Sequence, residues 1–385
     1  MIRRLLVFGF LMLSSAFAQD LPLIPAPDVV DAAVRRIMVE THANGLAIAI
    51  IDQGQVRYVR AYGVRNAKGD KLETDTVMYG ASLTKLVFAH AVMQLVDAGQ
   101  LDLDTPYAAL LEKPLPEYPA YAALAEDPRW QAQTPRIALT HSTGFANFAF
   151  LEPDKKMRIH FQPGSRYAYS GEGLILLQFV LEQGRKDKGL GVSVGELTDR
   201  TFASLGMTRT ALKWRADFAG NLADGWNDQG EPGEHDQRSR VRAAGSMDTT
   251  IHDLAVFAAA LMRGDGLSPA ARAELVRPQL PITTAHQFPT FLPEMPPAQR
   301  RADQQAALGS VTFNGPQGRG FFKGGHNEQT ANTLVALERG QRCVVILSND
   351  VRAEAGFAEL VRLILGETGV PYDWEYGDQA GKSNG

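Results

Sequence analysis

A serine three residues ahead of a lysine, at the mouth of an apolar helix, has the makings of an activated nucleophile. The segment Tyr79-Gly80-Ala81-Ser82-Leu83-Thr84-Lys85 has that spacing. Glycine and small residues precede a strongly apolar run, Leu83 to Val96, which ends at Ala98-Gly99. Ser82 therefore falls near a helix N-terminus, where free backbone N–H groups and the positive end of the helix dipole gather. Residues three apart share a helix face, so Lys85 lies beside Ser82. A hydroxyl needs a base to take its proton, and a desolvated lysine can be neutral and act as that base. The apolar helix supplies the desolvation. Ser-x-x-Lys by itself is unspecific: it also describes a helix cap followed by a surface lysine.

Other segments bear on the choice. Leu139-Thr140-His141-Ser142-Thr143-Gly144-Phe145 is one. Pro163-Gly164-Ser165-Arg166-Tyr167-Ala168-Tyr169-Ser170-Gly171 is another, leading into an apolar helix over Leu174 to Leu181. Leu205 to Thr210 and Ala244-Gly245-Ser246-Met247-Asp248-Thr249-Thr250 follow, and Phe322-Lys323-Gly324-Gly325-His326 begins a late strand. Gly191-Val192-Ser193-Val194-Gly195 matches the Gly-x-Ser-x-Gly elbow, which needs a strand before it and a helix after it. The stretch ahead of it, Gly184 to Gly191, is charged and Gly-rich, and Ser193 with Glu196 reads instead as a capping box. Thr250 and Asp253 read the same way. Glu172 belongs to a first helical turn, where the dipole favours acids, and His141 reads as a structural hydrogen-bonding residue. The eight histidines show no metal-binding spacing, so neither metal nor cofactor is expected.

The elements that must position these residues are legible in outline. Pro25 to Glu40 has helical spacing, with Asp28 as a cap. Gly45 to Ile51 and Val56 to Tyr62 form a hairpin. From about Asp102 to Asp248 the chain reads as helices, prolines and polar loops. Pro281 to Pro297 is a proline-rich loop. Strands resume at Ala306 to Phe313, Gly320 to Lys323, Asn332 to Leu337 and Arg342 to Leu347, and a last helix runs from Glu354 to Leu365. Strands at both ends and helices between predict an α/β (α+β) fold. One antiparallel sheet, from residues 19–100 and 250–370, is flanked by the N- and C-terminal helices, with an all-α domain inserted over 101–249. The tail after Asp373, within 371–385, is polar and reads as disordered.

Composition narrows the partners. The chain has 385 residues, 45% of them hydrophobic, and a net charge of −4, without the basic clustering of a nucleic-acid binder. Residues 1–18 read as a signal peptide: Arg3 and Arg4, then an apolar run from Leu5 to Leu13, then Ala16-Phe17-Ala18. The alternative is an uncleaved anchor, against which the apolar run is short of the ~20 residues of a spanning helix. Export to the periplasm follows, with no stable membrane anchor after cleavage. Cys343, the single cysteine, sits in a buried-strand pattern and reads as a core hydrophobe.

Taken in order from Pro25 to Leu365, these segments resemble the serine β-lactamase and penicillin-binding family. They look most like its class C branch, which also contains esterases and D-amino-acid peptidases. The resemblance implies that Ser82 is acylated, that Lys85 helps activate it, and that Tyr169 is the tyrosine of a Tyr-x-Asn element, acting as base or proton relay. If the register shifts, Tyr167 takes that place. Lys323 stands where the family has the first residue of Lys-Thr-Gly. The resemblance implies that it holds an acidic substrate group and lowers the Tyr169 pKa. The N–H groups of Ser82 and His326 would form an oxyanion hole, and Gly325 and Gly171 would join Lys323 and His326 in binding the substrate. Two departures stand out. The expected asparagine is Gly171, which moves the substrate from β-lactam toward ester or peptide. The late motif is Lys-Gly-Gly-His, so His326 is an alternative to Lys323. The implied activity is hydrolysis of a small-molecule or peptide carbonyl substrate through an acyl-enzyme. The alternative is a penicillin-binding or sensor protein that is acylated and not released.

Overall fold

The computed structural model describes residues 21–377. The expected signal peptide lies outside them. Helix α1 (Pro27–Glu40) starts with Pro27 in its first turn, and its N-cap is Ala26 without a side-chain cap. Asp28 is thus a first-turn acid and not the cap, because the proline already fixes the helix entry.

The sheet has eight antiparallel strands: β1 (Gly45–Asp52), β2 (Gln55–Gly63), β3 (Leu280–Pro281), β4 (Gln305–Ala306), β5 (Val311–Gly315), β6 (Gly318–His326), β7 (Ala331–Leu337) and β8 (Arg342–Ser348). Their spatial order is β2-β1-β8-β7-β6-β5-β4-β3. The first hairpin therefore closes onto the last strand, with Ile48 opposite Ile346. The expected single strand from Ala306 to Phe313 is broken in two. Ala307 N–H donates to Ser310 O at 2.9 Å, and Gly309 takes a left-handed φ of 74° that turns the chain.

Side chains alternate across this sheet, with one bulge in β2 at Arg57, yet β1, β7 and β8 read as continuous apolar runs. Both faces are buried, and that removes the polar half of the alternation. Leu46, Ile48, Ile50, Val335, Val344 and Ile346 pack against α1 and helix α6 (Phe357–Leu365). Ala47, Ala49, Leu334, Val345 and Leu347 face the other way, toward α2 (Leu83–Asp97) and α5 (Ile251–Arg263). The terminal helices thus cover one face, as expected, while two helices from the middle of the chain cover the other.

The same core continues into α3 (Gly171–Gln183) and α4 (Val194–Leu205), so the segment 101–249 shares its apolar interior with α2 and the sheet. Ser193 caps α4 by accepting from Glu196 N–H, which leaves no strand-to-helix elbow there. Helix α2 runs through the centre and is buried nearly all round, which its uniformly apolar sequence requires. Cys343 is fully buried on β8.

The described part of the expected disordered tail, 371–377, departs from expectation, and 378–385 lies outside the described residues. Residues Tyr372–Tyr376 form a short helix, α7, with Trp374 buried at 4% exposure. The polar composition hid this, because a single buried tryptophan anchors the segment without any periodic pattern.

Candidate active site

The turn before α2 is built by a backbone pairing distant in sequence. Met78–Tyr79 pairs antiparallel with Asp248–Thr249, and Gly80 N–H donates to Met247 O at 2.8 Å. Ala81 then adopts a left-handed φ of 45°, a conformation costly for a residue with a Cβ. Ser82 follows as N-cap of α2, with its side chain making no cap bond. The hydroxyl is turned into a cleft of about 750 Å³, whose walls include Tyr79, Lys85, Tyr169, Lys323, Gly325 and His326.

Within the cleft, Ser82 Oγ has two partners. Lys85 Nζ lies 2.9 Å away, and Tyr169 O–H donates to it at 2.8 Å. Lys85 Nζ also donates to Ala244 O, a second contact that fixes the amine. Lys323 Nζ lies 5.1 Å from the centre of the Tyr169 ring and donates to Gly324 O at 2.6 Å. Lys323 reaches the site from β6, in register with Leu334 and so on the α2 face of the sheet. Lys85 and Tyr169, expected to act with Ser82, both reach its hydroxyl, and Tyr169 rather than Tyr167 does so. The Tyr167 hydroxyl bonds Gln287 Oε1 instead.

Burial sets the protonation states. Lys85 is 1% exposed, and desolvation together with the nearby Lys323 charge pushes its pKa well below the usual lysine value. Burial pushes the Tyr169 phenol up, against the pull of its bond to Ser82. The lowering of Tyr169 by Lys323 that the resemblance implied is therefore not found. The tyrosine is desolvated, and the Lys323 ammonium sits over the ring rather than beside the oxygen. Of the two groups on Ser82, burial favours the neutral amine of Lys85 and the protonated phenol of Tyr169.

His141 holds Tyr169 in place from behind. The rings stack at 4.5 Å with 26° between planes, and Ser170 N–H donates to His141 Nδ1 at 3.1 Å. Burial, the largest cause, pushes the pKa of this imidazole well below the usual histidine value, and the Lys323 charge pushes it the same way. Phe288 closes the other side edge-on at 5.3 Å. Glu172 accepts from Ala149 N–H at 2.9 Å, a structural contact.

Strand register places the second backbone donor. Asn327 N–H donates to Thr330 O, so the preceding pair, His326 with Ala331, is a non-hydrogen-bonded one. The His326 N–H then points away from β7, to the side where β5 pairing has already ended at Phe322–Val311. That open edge lies against the start of α2. A Cβ on Gly325 would stand 2.8 Å from Ser82 N and 2.9 Å from Leu83 N. Gly325→Ala should force strand and helix apart, costing ~1–3 kcal/mol and most of the activity. Thermal denaturation and ester turnover on the purified variant check both.

Two residues singled out from the sequence do other work. The His326 imidazole turns outward, 46% exposed, and contacts Glu354 Oε2 at 3.1 Å, which raises its pKa. It does not stand in for Lys323 beside Ser82. Gly171 is buried at the start of α3 and does not line the cleft. A Cβ there would come within 2.7 Å of the Phe148 ring, and Gly171 N–H donates to Asn147 Oδ1 at 2.9 Å. The space next to it belongs to Phe148, which lines the cleft.

Several wall residues carried no sequence signal. Arg238 stacks on the Tyr79 ring at 3.6 Å and pairs with the buried Asp248 at 3.3 Å. Arg240 and Arg242 share that loop, and Glu375 comes from α7. These residues converge only through loops whose paths no periodicity encodes.

The family profile described as Beta-lactamase matches residues 30–367. The chain belongs to the β-lactamase family. Its relatives there include the penicillin-binding protein 4 of Amycolatopsis lactamdurans, 32% identical over 28% of this chain and 26% of that one. The D-alanyl-D-alanine-carboxypeptidase/endopeptidase AmpH of Escherichia coli (strain K12) is 35% identical over 21% of each. The lovastatin esterase of Penicillium rubens is 29% identical over 47% of this chain and 52% of that one. The matches thus span from about a fifth to about half of these relatives' own lengths. Among solved structures, the octameric penicillin-binding protein homologue from Pyrococcus abyssi superposes with a TM-score of 0.70 at 19% identity, over 89% of this chain and 78% of that one. A class C β-lactamase gives 0.67 at 18%, over 88% and 95%. These structures share the β-lactamase fold seen here.

Proposed function

We propose that the protein is an exported serine hydrolase that cleaves a carbonyl substrate through an acyl-enzyme on Ser82. One observation carries the reading: Ser82 Oγ is held at once by a buried amine at 2.9 Å and a phenol at 2.8 Å. The neutral Lys85 takes the hydroxyl proton as Ser82 Oγ bonds to the substrate carbonyl carbon. The N–H groups of Ser82 and His326 receive the developing oxyanion, in a site where pre-aligned donors cost no reorganisation. Tyr169 passes a proton to the leaving oxygen or nitrogen and regains one from the Lys85 ammonium. Water then attacks the acyl ester, releasing the acid and restoring the serine.

An ester suits the cleft best among the family's substrates. Phe148 makes an apolar wall beside Gly171, where the family pattern has an amide side chain. The relatives named as esterases support the same choice. Export rests on the N-terminal sequence pattern. Among the described residues no helix is long and apolar enough to cross a membrane.

Time-resolved mass spectrometry with p-nitrophenyl butyrate tests the reading. A butyryl group should appear on Ser82 during turnover and disappear as substrate is exhausted. An adduct that persists would make the protein an acyl-binding module of the same fold. Turnover without a Ser82 adduct would overturn the assignment.

A further inference from the structure

The C-terminal helix α7 brings a carboxylate into the cleft that the proposed mechanism does not use. Trp374 pins the helix: its backbone O accepts from Gln287 N–H at 2.9 Å, and its indole packs 5.6 Å from Tyr167. The Asp373 carbonyl contacts the His286 ring at 3.1 Å. The loop around Gln287 and Phe288 is the one that closes over Tyr169, so helix and catalytic wall are joined. The next residue, Glu375, lines the cleft with Ser82, Lys323 and His326. It also lines a small buried cavity behind Tyr169, together with Lys323.

We propose that Glu375 determines the charge preference of the cleft: it is a built-in carboxylate set before the Lys323–His326 wall, so that the best substrates bring no carboxylate of their own there. This rests on the acyl-enzyme reading above.

The charge arrangement supports it. His326 is already paired with Glu354, and Glu375 adds to the field that keeps its imidazole charged. Glu375 likewise favours the charged form of Lys323 against the burial that disfavours it. Burial raises the Glu375 pKa while Lys323 and His326 draw it back down, so on this wall two cations face two carboxylates once Glu375 has ionised; Arg238, Arg240 and Arg242 line the cleft from a separate loop. An incoming carboxylate at the Lys323–His326 wall would meet cations already compensated and a like charge lining the same cleft. Like charges placed side by side in an interface strongly disfavour binding.

Paired esters measure this directly. The ratio of kcat/KM for p-nitrophenyl hemiglutarate, which carries a carboxylate, to that for neutral p-nitrophenyl butyrate should be low in the wild type. Glu375→Gln should raise the ratio at least ~tenfold, from the loss of like-charge repulsion. Glu375→Asp, which keeps the charge, should hold the ratio near the wild-type value and guard against a folding defect in the first variant. A ratio unmoved by Glu375→Gln overturns the proposal while leaving Ser82 catalysis intact. Calorimetry in the Ser82→Ala background makes the proposal independent of turnover. There, adding Glu375→Gln should tighten phenylacetate binding relative to phenylacetamide, and no relative tightening overturns the proposal whatever the reaction proves to be.

Discussion

Replacing Ser82 by alanine lowers kcat for p-nitrophenyl butyrate by at least ~10⁴-fold, the scale on which a covalent nucleophile contributes. The fold survives, because the Ser82 side chain makes no cap bond to α2 and faces the cleft. The backbone that positions it is held by Gly80, Ala81 and Met247 instead. Circular dichroism should overlay with the wild type, and thermal denaturation should move little. The residual rate would come from the backbone donors and from binding, which are left in place. A Ser82→Ala protein that turns over the ester within tenfold of the wild type would remove Ser82 as the nucleophile.

The second large effect is on pH dependence. In the proposed mechanism the working form of Lys85 is neutral, so the reactive fraction should rise with pH through the lysine's pKa. Burial and the Lys323 charge set that pKa well below the ordinary lysine value. The profile of kcat/KM should therefore have an ascending acidic limb, whose midpoint belongs to Lys85 in the free enzyme. Lys323→Met removes the like charge. The Lys85 pKa then rises, and the limb shifts to higher pH. Lys85→Arg supplies a side chain that stays protonated at every working pH. It should lower kcat/KM by roughly 10³-fold, within the range of a general base, and abolish the limb. A limb that keeps its place in Lys323→Met would show that Lys85 is not the group being titrated. Tyr169 should contribute no descending limb near neutrality, since burial pushes its phenol upward.

What can be read in the chain divides along the range of the interactions involved. Ser82 and Lys85 are three residues apart on one helix, so the helical repeat alone puts them on one face. The apolar sequence of α2 likewise announces its burial, and with it the neutral amine. Strands β1, β6, β7 and β8 declare themselves through short apolar runs between turn residues. The break between β4 and β5 does not, because it depends on the backbone conformation of Gly309, and glycine is tolerated in strands as well as turns.

The site beyond Ser82 and Lys85 depends on long-range pairing. Tyr169 could be chosen over Tyr167 only by its reach to Ser82, since both are buried aromatics on one short segment. Lys323 over His326 was decided by strand alternation and by Glu354, which lies on a different element and draws the imidazole outward. The rise of the Tyr169 pKa follows from how much protein surrounds the ring, a quantity no local pattern contains. Gly171 could look like a missing substrate contact until Phe148 was seen to press on it. Glu375 was the least legible, in a polar tail whose placement rests on one buried tryptophan. The sequence by itself determined that Ser82 and Lys85 share one helix face, and it determined the layered α/β plan, because local periodicity carries both. Only the tertiary structure decided which tyrosine, which cation and which carboxylate share the cleft, because burial and charge are summed over residues far apart in the chain.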